Sequence, residues 1–138
     1  MRKGDVVLDI GCHPGGWTQV ASEEVGDDGV VVGVDLLATA PVDGATVIIG
    51  DITNDATIRQ IRESLDGRVI NTVISDISPS LTGRYDTDQT ISLELSTTVL
   101  DVAMDVLQPG GTFITKTFQG VGIAVSYTHL TLPTIYSV

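Results

Sequence analysis

Two rhythms of apolar and polar positions recur along this chain. Short apolar runs rich in β-branched residues, such as Val6 to Ile10, interrupted only by Asp9, and Val30 to Val34, end in glycine or aspartate. Such runs read as strands buried on both faces of a parallel sheet. Between them, apolar residues recur three and four positions apart, the mark of a helix with one buried face. The first strand is expected at about Asp5 to Ile10. A helix follows from about Gly15 to Val25, with Trp17, Val20, Ala21 and Val25 inward. Val30 to Val34 and Thr46 to Ile49 are the second and third strands. Asp55 to Leu65 reads as a surface helix, with Ile58, Ile61 and Leu65 inward and Arg59, Arg62 and Glu63 outward. Val69 to Ser75 is the fourth strand. A long helix capped by Asp86 or Thr87 runs to about Leu107, with a stripe through Ile91, Leu95, Val99, Val102, Ala103 and Val106. Pro109-Gly110-Gly111 stops it, and Thr112 to Thr117 is the fifth strand. Strands alternating with helices predict an α/β fold: a Rossmann-like, mostly parallel sheet with helices on both faces.

In such a sheet ligands bind beyond the carboxyl ends of the strands. The glycine loop, Asp35, Asp51, Asp76 and Lys116 all fall at those ends. The loop, Gly11-Cys12-His13-Pro14-Gly15-Gly16, lets the backbone turn tightly and approach a ligand closely. Its spacing is neither the dinucleotide pattern nor the phosphate-loop pattern, and it carries no lysine for a triphosphate. A nucleoside ligand without a phosphate chain fits, and S-adenosylmethionine leads. The bland alternative is a tight strand-to-helix turn that happens to use glycines. Asp35, about 20 residues past the loop, is placed to accept from ribose hydroxyls, and Asp51 to accept from an adenine amino group. Either could equally be a solvated strand-end residue. Asp9, inside the first strand, reads as structural, holding loop N–H groups. Lys116 lies among apolar residues in a chain with one other lysine, Lys3. Lysine is seldom buried without a partner or a task. Asp76 is its natural partner, with a purely structural ion pair as the alternative. Cys12 and His13 give only weak signals, and no histidine or cysteine cluster suggests a metal.

Composition narrows the picture. A chain of 138 residues, 42% hydrophobic, makes one domain with one core. No stretch is long and apolar enough to span a bilayer, and Met1-Arg2-Lys3-Gly4 runs into the first strand without a leader, so a cytoplasmic protein is expected. The single cysteine excludes an internal disulfide. Eighteen acidic residues against seven basic ones leave a net charge of −11, whereas nucleic-acid binders usually present a basic face. Either the chain binds no nucleic acid, or it works in a salty cytoplasm that screens self-repulsion, or its basic surface lies elsewhere in a larger protein. The second and third readings together are favoured.

Five stretches carry a resemblance. They are Asp9-Ile10-Gly11-Cys12-His13-Pro14-Gly15-Gly16-Trp17, Val34-Asp35-Leu36-Leu37, Gly50-Asp51-Ile52, Ser75-Asp76-Ile77-Ser78-Pro79-Ser80 and Lys116-Thr117-Phe118-Gln119-Gly120. In this order and spacing the chain resembles the FtsJ/RrmJ group of S-adenosylmethionine-dependent RNA 2′-O-ribose methyltransferases. The resemblance implies cofactor contacts at Gly11, Gly15, Gly16, Trp17, Asp35, Asp51 and Asp76, and a catalytic lysine at Lys116 acting with Asp76. It also implies an RNA partner, a large-subunit ribosomal RNA uridine first among the choices, and a monomer. Two members of the family's catalytic set have no counterpart: a lysine upstream of the glycine loop and a glutamate beyond the fifth strand. His13 stands where the family usually has a small residue.

Residues 1–123 are therefore expected to be a partial methyltransferase domain, truncated after the fifth strand. Residues 124–138, including Val125-Ser126-Tyr127-Thr128-His129-Leu130, resemble a translated sequencing-library adapter and are expected to be foreign to the domain. Rival functions are a non-catalytic S-adenosylmethionine-binding scaffold in RNA processing, a tRNA or cap 2′-O-methyltransferase, and a nicotinamide-dependent oxidoreductase on the same sheet.

Overall fold

The computed structural model describes residues 1–12, 15–75, 97–115 and 134–137. Its elements run β1 (Val6–Ile10), α1 (Gly16–Val25), β2 (Val30–Asp35), β3 (Ala45–Ile49), α2 (Asp55–Leu65) and β4 (Ile70–Ser75). Helix α3 covers 97–106, followed by β5 (Leu107–Thr115) and β6 (Thr134–Ser137). The strands form one sheet in the order β3-β2-β1-β4-β5-β6, and every pairing is parallel. The chain starts in the middle, steps outward through β2 and β3, then returns to β4 and steps outward on the other side. The reversal falls between β1 and β4, where open α/β sheets leave a crevice for ligands.

The apolar runs are explained by burial from both sides. Every residue of β1 is buried, and its side chains alternate between two cores. Val6, Leu8 and Ile10 join Val32, Val34, Val73 and Phe113 beneath Ile61 and Leu65 of α2 and Val99, Leu100 and Ala103 of α3. Val7 points the other way, with Val31 and Ile74, against Ala21 and Val25 of α1. Fully burying an aliphatic side chain of this size contributes about 1.5–3 kcal/mol, so the two-sided central strand anchors the fold.

Several expectations change in detail. Val20 was expected inward on α1 but is 54% exposed. The helix buries Thr18, Ala21 and Val25 instead, because Thr18 lies one turn before Ala21 and answers a polar group beneath it. On α2, Ile61 and Leu65 are buried as expected, joined by Thr57. Asn54 caps that helix, its side chain accepting from the Ala56 N–H at 2.9 Å. Strand β5 starts at Leu107, before the glycines expected to precede it. Leu107 pairs with Ile70 and Thr112 with Thr72, so the Pro109-Gly110-Gly111 turn is looped out between two paired segments. A sixth strand, Thr134–Ser137, pairs with Thr112–Thr115 beyond the five that the apolar pattern predicts. An unpaired edge offers free N–H and C=O groups to any extended segment that can reach it. The first half of the expected long helix, with Asp86, Thr87, Ile91 and Leu95, lies outside the described residues.

Candidate functional site

Strand β1 ends at Ile10 between its neighbours' ends, paired with Val34 of β2 and Ser75 of β4. The chain then swings across β2: the N–H groups of Gly11 and Cys12 both donate to the Val34 carbonyl, at 2.8 and 3.2 Å. This crossing needs a glycine underneath. A Cβ on Gly33 would lie 3.0 Å from the Cys12 sulfur and 3.1 Å from its Cβ. Gly15 then sits at φ +112°, in the left-handed region, and starts α1 without a side-chain cap. Its missing Cβ would approach Val42 and Thr39 methyl groups at 3.3 and 3.6 Å. Gly16 is different: it is exposed, and among the described residues nothing lies within 4 Å of where its Cβ would be.

Beneath the turn, Asp9 is fully buried on the α1 face of β1. Its Oδ2 accepts a 2.6 Å hydrogen bond from the Thr18 hydroxyl, so the role at Asp9 joins β1 to α1. Trp17 is half-buried and packs with the smaller core, against the cluster of Val7, Ala21 and Val25. Cys12 is buried, and desolvation raises its thiol pKa above the ordinary value. A buried, neutral thiol is inert, which fits a packing role.

Asp35 closes β2 and Asp51 follows β3 one residue after Gly50. The two strand ends are joined where the Gly50 N–H donates to the Asp35 carbonyl at 2.9 Å. The Asp35 carboxylate accepts from the Leu37 N–H at 2.9 Å. The Asp51 carboxylate accepts from both the N–H and the hydroxyl of Thr53, at 2.9 and 2.7 Å. Those two bonds hold its pKa below the usual carboxylate value, so Asp51 stays an exposed anion and acceptor. The glycine turn, Asp35 and Asp51 thus stand at the carboxyl ends of three adjacent strands. Asp76, His13 and Lys116 lie outside the described residues. The strands before Asp76 and Lys116 end side by side, Ser75 paired with Thr115.

Sequence reasoning missed the residues packed around this turn, Thr18, Thr39 and Val42. Thr18 carried a signal, a polar residue at helical spacing from Ala21 and Val25 over a strand with a buried aspartate. Thr39 and Val42 carried none, because they belong to an irregular connection.

The FtsJ-like methyltransferase model matches residues 1–133 of this sequence. The chain belongs to this family. It is 44% identical over 123 residues to a ribosomal RNA large subunit methyltransferase E from Alkalilimnicola ehrlichii, covering 89% of this chain and 59% of that one. A protein of the same name from Halorubrum lacusprofundi is 47% identical over 121 residues, covering 86% of this chain and 45% of that one. The chain thus spans about half the length of the curated relatives it matches. Among solved structures, a protein described as a ribosomal RNA methyltransferase from Plasmodium falciparum superposes with a TM-score of 0.78 at 26% identity, over 87% of this chain and 70% of that one. A short chain dehydrogenase from Francisella tularensis reaches 0.57 at 12% identity. That likeness is one of fold alone. Among the described residues no helix is long and apolar enough to cross a membrane.

Proposed function

We propose that this FtsJ-like chain is the cofactor-binding part of an RNA 2′-O-ribose methyltransferase, and that its substrate is a uridine of large-subunit ribosomal RNA. The observation that carries the reading is the row of strand ends. A glycine turn without the phosphate-loop spacing, an acidic acceptor at Asp35 and a second at Asp51 stand on neighbouring strands, on the side where doubly wound sheets bind nucleosides. Among the described residues nothing crowds the missing Cβ of Gly16, which suits an adenosyl ligand approaching the backbone closely. Asp35 would receive the ribose hydroxyls, and Asp51 the adenine amino group. Gly11, Gly15, Gly16 and Trp17 would wall the remainder. S-adenosylmethionine, when bound, supplies a methyl group already activated on a sulfonium. The names of the relatives support ribosomal RNA as the acceptor.

What the chain must add is alignment of the acceptor hydroxyl and removal of its proton. Lys116 is the proposed base, or the group that orients the hydroxyl, and Asp76 its partner and a cofactor contact. The register supports their meeting, since Ser75 and Thr115, one residue before each, are paired. A base must be neutral, and desolvation or a second cation favours that form in a lysine, whereas a nearby carboxylate opposes it. Asp76 therefore tunes as well as positions. The test is Lys116→Ala in the full-length protein, followed by methyl transfer and S-adenosylmethionine binding on the same sample. Transfer is expected to be lost with binding retained. Undiminished transfer removes Lys116 from the chemistry. Retained binding with no transfer in the unaltered protein favours a non-catalytic scaffold instead.

A further inference from the structure

Resting on that cofactor reading, we propose that residues 36–44, between β2 and β3, form a clamp on the glycine turn, and that Thr39 and Val42 are positioning residues for the adenosyl site. The segment is fastened at both ends. At its start the Leu37 N–H donates to the Asp35 carboxylate at 2.9 Å, which ties the clamp to the acid proposed for the ribose. At its end the Ser22 hydroxyl of α1 donates to the Asp43 carbonyl at 2.9 Å. Gly44 passes Ser22 so closely that a Cβ there would lie 2.5 Å from its oxygen. Between these fastenings the segment touches the turn at two places. The Thr39 oxygen receives the Cys12 thiol at 4.0 Å, and the Val42 and Thr39 methyl groups lie 3.3 and 3.6 Å from the space where Gly15 lacks a Cβ.

The physical need is specific. Gly15 holds φ +112°, and glycine alone has little intrinsic preference for any one well. A turn that must present its backbone to a ligand in one shape therefore needs an outside constraint. Two methyl groups lining the space where Gly15 lacks a Cβ, with the segment pinned to α1, supply it. A loosened site loses binding through geometry even when every contact residue remains, because the ordering cost then falls on the binding step. Thr39 and Val42 act through Gly15.

The test uses the full 138-residue chain and four variants: Val42→Ala, Val42→Thr, Thr39→Ser and Thr39→Val. Titration calorimetry with S-adenosylmethionine is expected to show about tenfold weaker binding for Val42→Ala, which removes both methyls, and for Thr39→Ser, which removes one. Val42→Thr keeps a branched side chain, and Thr39→Val keeps the methyl while giving up the oxygen that receives the Cys12 thiol; both should bind more tightly than Val42→Ala and Thr39→Ser. Hydrogen exchange on the ligand-free chain gives a second readout, at the Gly11 and Cys12 amides bound to Val34. Val42→Ala is expected to speed their exchange about tenfold while the β1 amides keep their protection. Equal acceleration throughout β1 would mean general destabilisation and overturn the clamp. So would unchanged exchange, or equal affinity in all variants. Failure of the unaltered chain to bind S-adenosylmethionine would overturn the cofactor reading, and the exchange experiment would still decide the clamp.

Discussion

Two side chains near the turn show how much a single hydrogen bond can govern here. Asp9 is fully buried, and the Thr18 hydroxyl, itself buried, donates to it at 2.6 Å. Replacing Thr18 by valine keeps the volume and removes the donor, leaving a buried acceptor short of a partner. Thr18→Val is expected to lower stability by about 2 kcal/mol, read as a shift in the urea midpoint; an unchanged midpoint would mean water or another group takes the place. Asp51 is the opposite case, exposed and held by Thr53. Its depressed pKa means that the folded chain resists protonation more than the unfolded one. The stabilising effect is present above the carboxylate's ordinary value and is lost as pH falls through the folded one. Thr53→Val removes the hydroxyl donor, so the Asp51 carboxyl should titrate at higher pH. A carbon-detected NMR titration would follow that one group, and an unmoved midpoint would assign the depression to the Thr53 N–H alone.

Helix α1 tests the reading of periodicity. Four residues at helical spacing were expected inward, and three of them, Trp17, Ala21 and Val25, do face the sheet. Val20 does not, being 54% exposed, whereas Ala21 is 0% exposed. An apolar residue beside a true stripe position is indistinguishable by spacing from a member of the stripe, since a helix face is broad. Val20→Lys should therefore change stability by no more than about 0.5 kcal/mol. Ala21→Lys, one position on, should prevent folding, since it drives a charge into the core between Val7 and Val25. Circular dichroism during thermal melting separates the two outcomes. If both variants melt alike, the rotation of α1 on the sheet is wrong.

The whole molecule carries a net charge of −11, and its compact form brings those charges together. Self-repulsion destabilises a folded chain, and salt at about 1 M shortens the screening length to about 3 Å. The melting temperature is expected to rise with potassium chloride across that range. A flat or falling profile would show that the acidic surface is not a burden at low salt. For an RNA-modifying role the same charge matters in another way. A surface this acidic needs cations or further basic surface in the full-length protein to approach a phosphate backbone.

Much of this architecture was legible in one dimension. Runs of β-branched residues ending in Gly11 and Asp35 announced buried parallel strands, because a strand covered on both faces needs almost no polar side; the run ending in Gly50 looks alike but forms the edge strand β3, with Ile49 61% exposed. The placing of polar residues at the run ends followed from the same cause. The sequence alone thus determined the first five strands of the sheet, their helical cover and the strand ends proposed as the site, but not the sixth strand. It could not say which neighbour Gly15 would meet, that Gly33 lies under the Cys12 crossing, or that Thr18 answers Asp9. Those contacts join residues 9 to 27 positions apart through the packing of separate elements. No local preference encodes them, and only the close approach of α1, β2 and the segment after β2 brings them into being.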